Sequence, residues 1–450
     1  MALKKLLTAV ALLVAATLCS VVLVRWRPPR APAPPVLERV ARAEGALWAG
    51  VAEVPLDLPG AVPVAGYPRV AWTSQGTRDP VFARALVLSE PGASVALVSV
   101  EILLVPGSLD RAVANRVRDL NLDALVIAAT HTHAGPGGYW SSAVGEWIAT
   151  GPYEPAILDA LAGRIAEAVR RAAAARAPAT LAAARADLAE LVRSRSGEVV
   201  DGRLLALRLA RAGGAPLAEV LVFPAHATTL GKENRRLSGD WPGVLAQGRP
   251  VPTLFFQGAV GDQSVSLPGG APGATPETYA AAVAAKLAAL AFPPGDPRPP
   301  LAAASVRVVL PDVRLGALPA WLRLASANLL QGAMPAEGRI TALQLGPVLL
   351  AAVPAEPTGA VGQRWRETVA AGAEVIALAG DYLGYVESAE RVRAHAGEAA
   401  RTYYGPDLEA RLALGVAAGV EALRPAQRAA AAQNRKASPG AESRAGSAER

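Results

Sequence analysis

Three of the four histidines in this chain stand where apolar runs end. The run 124–130 stops at His131-Thr132-His133, and the run 221–225 stops at His226. Carboxylates and hydroxyls end three further runs: 254–260 leads into Gly261-Asp262-Gln263-Ser264, 350–355 into Glu356, and 375–380 into Asp381, Tyr382 and Tyr385. Two or three neutral imidazoles with one carboxylate make a nitrogen–oxygen donor set, the kind that holds a catalytic zinc with a position left open for water. His131 and His133 are two residues apart on an extended segment, so both rings lie on one side of it. Cys19 is the sole cysteine, which makes a structural zinc site improbable. The residues point to a metal site and leave the reaction open.

Each residue also has an ordinary alternative. Tyr382 and Tyr385 could pack beneath a loop, Ser264 could cap one, and Arg195 lies near Arg193 in an arginine-rich stretch that suits a solvated face. Asp240 and Asp262 read as turn and helix-cap carboxylates, and His395 as a surface residue.

Such residues need strand ends to converge. Strand-like runs cover Val95 to Val105, Ala124 to Ala129, Arg203 to Leu209, Glu219 to Phe223, Thr253 to Phe256, Val348 to Val353 and Glu374 to Leu378. Helical patterns alternate with them at Leu109 to Leu120, Glu154 to Ala175, Pro276 to Ala291, Gly359 to Ala371 and Pro406 to Leu423. In the second of these, Ile157, Leu161, Ile165 and Val169 recur every four residues as one apolar stripe. Alternation of this kind predicts an α/β fold with mixed sheets flanked by helices. Ligands in such folds bind outside the carboxyl ends of strands, where the polar residues fall here.

Lys4 and Lys5 precede an apolar stretch from Leu6 to Val24, about 28 Å long as a helix and so enough to span a bilayer core. Arg25, Trp26 and Arg27 follow in place of a small-residue cleavage site, so residues 1–27 read as an uncleaved anchor, with a cleaved signal as the alternative. The expected division continues with a Pro/Ala-rich linker over 28–50, a catalytic domain over 51–426 and a disordered tail over 427–450. The domain is placed on the extracytoplasmic side of the membrane. A net charge of +7 raises nucleic acid as a partner, but the arginines are scattered through alanine-rich helices without interleaved aromatics, so none is expected.

The run from Thr130 to Tyr139 resembles a motif of the neutral/alkaline non-lysosomal ceramidases, zinc amidases that cleave the N-acyl bond of ceramide. That family has serine at Ala134. The resemblance continues in order through Arg195-Ser196, His226-Ala227-Thr228, Ser238-Gly239-Asp240, Gly261 to Ser264, Pro354-Ala355-Glu356, Tyr382 to Tyr385, and Tyr404-Gly405-Pro406. It covers roughly residues 55 to 420, the catalytic domain, and leaves no room for the family's C-terminal β-sandwich. It implies zinc ligands His131, His226, Glu356 and Tyr385. His133 and Arg195 would line the site, and Ser264 stands at a serine regarded as catalytic. There are departures: Val265-Ser266 replaces Pro-Asn after that serine, Ala227 replaces a proline, and Ala355 replaces a glycine.

The resulting expectation is a Zn2+-dependent amidohydrolase acting on ceramide or a related membrane lipid. A zinc hydrolase for another amide or ester of the cell envelope and a non-catalytic, membrane-tethered binding protein are the competing readings. Trp140, Trp147, Val265 and Leu267 are candidates for an apolar groove beside the site.

Overall fold

A computed structural model describes residues 2–26, 30–67, 72–142, 145–270, 273–314 and 334–424. In chain order its strands begin with β1 (Val36–Ala43), β2 (Trp48–Pro55), β3 (Phe82–Glu90), β4 (Ala93–Val100) and β5 (Ala124–Ala129). Next come β6 (Ala177–Asp187), β7 (Val192–Ser194), β8 (Arg203–Arg211), β9 (Pro216–Val222), β10 (Thr253–Phe256) and β11 (Gln263–Val265). The series closes with β12 (Leu301–Val309), β13 (Glu337–Leu345), β14 (Val348–Ala352), β15 (Glu356–Pro357), β16 (Ala373–Ile376) and β17 (Tyr385–Val386).

Eight strands form one sheet in the order β10-β9-β8-β6-β2-β3-β4-β5, and five form a second in the order β1-β12-β13-β14-β16. Two short pairs, β11-β7 and β15-β17, lie outside them. The two sheets face each other, with a helix on each outer side. Alternate residues explain this layering. In β3, Leu86 and Leu88 enter the core between the sheets with Leu301, Leu343 and Leu350. Ala83, Ala85 and Val87 point the other way, toward Leu161, Ile165 and Val169 of the helix Pro155–Ala174. The helix Leu408–Ala422 covers the far face of the smaller sheet, where Leu412 and Val416 join Val306 and Ile340. Strands buried on both faces read as continuous apolar runs, which made β4, β5, β8, β9, β10, β14 and β16 legible in the sequence, whereas β2, β3, β6, β12 and β13 were not picked out. The expectation of mixed sheets flanked by helices is met.

Pairing is mostly antiparallel, but β4 with β5, β9 with β10 and β14 with β16 run parallel. The carboxyl ends of five of these six strands, all but β4, carry the polar residues singled out above. The sheets are stitched at that end, because Ala129 N donates to Leu378 O and Gly380 N donates to Ile127 O.

One expectation is revised. The linker assigned to 28–50 contains β1 and the start of β2, and β1 pairs with β12 along its length. Proline density stops at Pro35; beyond it Ala41 and Ala43 are buried, small enough to leave little trace in a hydropathy pattern. The apolar N-terminus does form a helix, Ala2–Trp26, with Leu7, Leu12, Leu13 and Leu18 exposed. Among the described residues no helix is long and apolar enough to cross a membrane. The tail expected over 427–450 lies outside the described residues.

Candidate active site

Beyond β5 the chain keeps its pairing for two residues. Thr130 N donates to Val100 O at 2.9 Å and His131 N to Ile102 O at 3.1 Å. His131 itself adopts φ +66°. That left-handed conformation costs roughly 1–2 kcal/mol for a residue with a side chain, a strain tolerated where surrounding contacts fix it. Its Nδ1 lies 2.7 Å from Leu103 O. A proton on Nδ1 satisfies that carbonyl and leaves the Nε2 lone pair facing inward.

His226 repeats the arrangement beyond β9, with Nδ1 2.8 Å from Gln263 O. The two histidine loops are joined directly. His133 N donates to Ala227 O, and Thr132 Oγ1 donates to Ser238 O at 2.8 Å. Glu356 arrives from the smaller sheet as the first residue of β15, beside Tyr385 in β17.

These groups meet in a buried centre. His131 Nε2 and His226 Nε2 lie 3.2 and 3.5 Å from Glu356 Oε2, and His226 Nε2 lies 3.3 Å from Tyr385 Oη. Donors held ~2.0–2.1 Å from one ion at tetrahedral angles are separated by roughly 3.3 Å, so these spacings fit a single zinc-sized ion. The ring nitrogens of His131, His133 and His226 are also mutually within 4.8 Å, close enough to share an ion. His131 Nε2, both ring nitrogens of His133 and Glu356 Oε2 are buried without a well-formed hydrogen bond. Buried polar atoms are nearly always satisfied, so this concentration of orphaned lone pairs suits a cation.

The electrostatics agree. Burial keeps His133 well below its ordinary pKa, and the positive fields of His131 and His226 add to the effect. Burial likewise lowers His226 to about 4. Burial alone would raise Glu356, but the neighbouring His131 and then His226 outweigh it, holding the carboxyl well below its ordinary range. His133 and His226 are therefore neutral imidazoles beside an ionised carboxylate, the protonation states that metal binding requires. Tyr385 and Tyr382 are pushed well upward by burial and by the Glu356 charge. Tyr382 remains a phenol and donates to Glu356 Oε1 at 2.8 Å.

Arg195 and Ser264 adjoin this centre through the β7–β11 pair. Arg195 donates to Ser264 Oγ at 3.4 Å, to Gly261 O at 2.5 Å and to Glu398 Oε1 at 2.9 Å. Tyr385 is a further hydrogen-bonding neighbour of Arg195; although burial opposes its charge, the Tyr385 and Glu398 fields keep the guanidinium pKa above its ordinary value. Asp262 accepts from Ser194 Oγ at 2.6 Å, from Ser196 Oγ and from Gly359 N at 2.8 Å. It clamps the residues on either side of Arg195.

The structure thus brings His131, His133, His226, Glu356, Tyr385, Arg195 and Ser264 together. His395 is exposed and takes no part. Asp240, the first residue of the helix Asp240–Gln247, accepts from the Thr229, Leu230 and Trp241 backbone nitrogens and so ties the 229–230 turn to the helix. Val265 and Leu267 are partly buried against the core, and Trp140 packs edge-on against Tyr382. The side chain of Trp147 lies outside the described residues. Sequence reasoning missed Glu398, which holds Arg195, and Tyr67, whose ring lies 5.0 Å from that of His133. Neither stands at the end of an apolar run.

Residues 57–248 match the N-terminal part of the neutral/alkaline non-lysosomal ceramidase family. A neutral ceramidase of Mycobacterium tuberculosis is 30% identical over 205 residues, which are 40% of this chain and 32% of that protein. The matched part therefore spans about a third of the length of that relative. The fold is shared with the crystal structure of neutral ceramidase from Pseudomonas aeruginosa at TM-score 0.69 and 20% identity, covering 84% of this chain and 75% of the other. A ceramidase complexed with C2 aligns at TM-score 0.72 and 20% identity, covering 86% and 76%.

Proposed function

We propose, for a chain whose residues 57–248 match the N-terminal part of the neutral/alkaline non-lysosomal ceramidases, zinc-dependent hydrolysis of the N-acyl amide of ceramide or a related membrane lipid, giving a fatty acid and a sphingoid amine. One observation carries this reading: the buried cluster of His131, His226, Glu356 and Tyr385, with atoms spaced as a tetrahedral ion demands. Those four residues would hold the zinc. A zinc ion there supplies Lewis acidity toward an acyl carbonyl and toward water.

The chain's own groups do the rest. Arg195, fixed by Glu398, directs positive charge and N–H donors beside Ser264, where an oxyanion develops as the carbonyl is attacked. His133 is neutral through burial and has unsatisfied ring nitrogens, so it can accept the nucleophile's proton and return it to the leaving amine. The nucleophile is either the Ser264 hydroxyl or water. Replacing Ser264 by alanine abolishes turnover in the first case and leaves a measurable rate in the second.

Substrate class is tested with purified full-length chain on ceramides of graded acyl length, beside short amides and esters. Each methylene buried contributes ~0.8 kcal/mol, so kcat/KM should climb steeply with chain length. Indifference to length, or turnover of a non-lipid envelope amide or ester alone, removes the ceramide assignment and leaves a zinc hydrolase. For location, we propose the extracytoplasmic side of a membrane, with the apolar N-terminal segment as the export element. Fractionation with N-terminal sequencing tests this, and recovery of the chain from the cytoplasm would refute it.

A further inference from the structure

We propose that Gln257 is a positioning residue that sets the separation of the two histidine loops; the inference rests on reading His131 and His226 as metal ligands. Gln257 follows β10 and is fully buried. Its Nε2 donates to Thr130 O at 2.9 Å and to Ala225 O at 2.9 Å, and its Oε1 accepts from Ala225 N at 3.2 Å. Thr130 and Ala225 immediately precede His131 and His226. The backbone carbonyl of Gln257 accepts from Ala377 N at 2.9 Å, which ties in the smaller sheet just past β16.

The topology makes this amide necessary. In the order β10-β9-β8-β6-β2-β3-β4-β5, the strands that deliver the two histidines are six places apart. A flat sheet at ~4.7–4.9 Å per strand would separate them by roughly 28 Å. The sheet curls until β10 meets β4, where Ser99 Oγ donates to Phe255 O at 2.6 Å. No continuous ladder defines the gap between β5 and β9 across that closure. Downstream of the histidines the loops are joined by the Thr132–Ala227 bridge. Upstream, the Gln257 side chain joins them. Only a carboxamide offers two N–H donors and an acceptor at that length without charge. Because both carbonyls lie one residue before a histidine, a shift of either would move a ring nitrogen directly.

The test uses the full chain with Gln257→Glu and Gln257→Met, and with Ser99→Ala as a control that removes a comparably buried bond touching neither loop. Gln257→Glu keeps the shape and one acceptor, and so guards against a folding failure of Gln257→Met. Zinc affinity is measured by competition with a chelator, alongside thermal melting and ceramide kinetics. Both Gln257 variants should bind zinc about tenfold more weakly or worse, as when an outer partner of a metal site is lost, and kcat should fall more than KM changes. Ser99→Ala should melt lower while keeping zinc affinity within about twofold. Wild-type zinc affinity in both Gln257 variants, or equal weakening by Ser99→Ala, overturns the proposal. Undiminished zinc binding in a His131→Ala/His226→Ala chain instead overturns the metal reading.

Discussion

The two halves of the candidate site are built on opposite principles. Around His131, His133 and Glu356, ring nitrogens and a carboxylate oxygen are buried without adequate partners. Around Arg195 nearly every polar group is answered: the guanidinium by Glu398, Gly261 and Ser264, and Asp262 by two serines and a backbone N–H. Unanswered lone pairs cost roughly 1–3 kcal/mol each, a cost that a cation bound there, as proposed, would offset. The second half is complete in itself, which suits a charge that must already be aimed when substrate arrives. On the proposed reading, one half would bind the ion and the other would supply a preorganised field.

This contrast is broken most severely at the histidines. His131→Ala or His226→Ala should reduce zinc from about one per chain to a trace and cut ceramide turnover by ~10³-fold or more, read by elemental analysis and kinetics. Removing zinc from the wild type with a chelator should have the same effect and be reversed by adding zinc. Full occupancy in the double variant would show that the unanswered atoms serve something else.

His133 sharpens the boundary between the halves. His133→Ala should retain zinc while losing ~10²–10⁴-fold in kcat, as expected of a proton-transfer group. Loss of zinc together with activity would make it a third nitrogen ligand, an outcome its closeness to the other two rings allows.

On the completed side the effects should be smaller and leave the metal untouched. Arg195→Lys keeps the charge but not the fork that reaches Ser264, Gly261 and Glu398 together, so kcat should fall ~10²–10³-fold at full zinc content. Glu398→Gln, which acts through Arg195 and through Arg401 over the Tyr385 ring, should cost about tenfold, and zinc loss in either variant would collapse the distinction.

Legibility divides along a similar line. His131, His133, His226 and Glu356 could be picked out because rare or polar residues ended apolar runs, and strands buried on both faces make such runs plain. The strand β1 was hidden because alanines fill its buried positions and a proline-rich stretch precedes it. Glu398 and Tyr67 gave no local signal, since each matters only through a residue distant in sequence.

Residue order therefore fixed the α/β class, the strand ends that carry chemistry and the donor types available there. Such features arise from periodicity and side-chain chemistry within a few neighbouring residues. Which donors share one centre, that His131 turns inward at a positive φ, and that Gln257 spans strands six places apart were set by folding. Those outcomes depend on how far one sheet curls and where a second sheet joins it, a property of long-range packing that no short stretch of sequence contains.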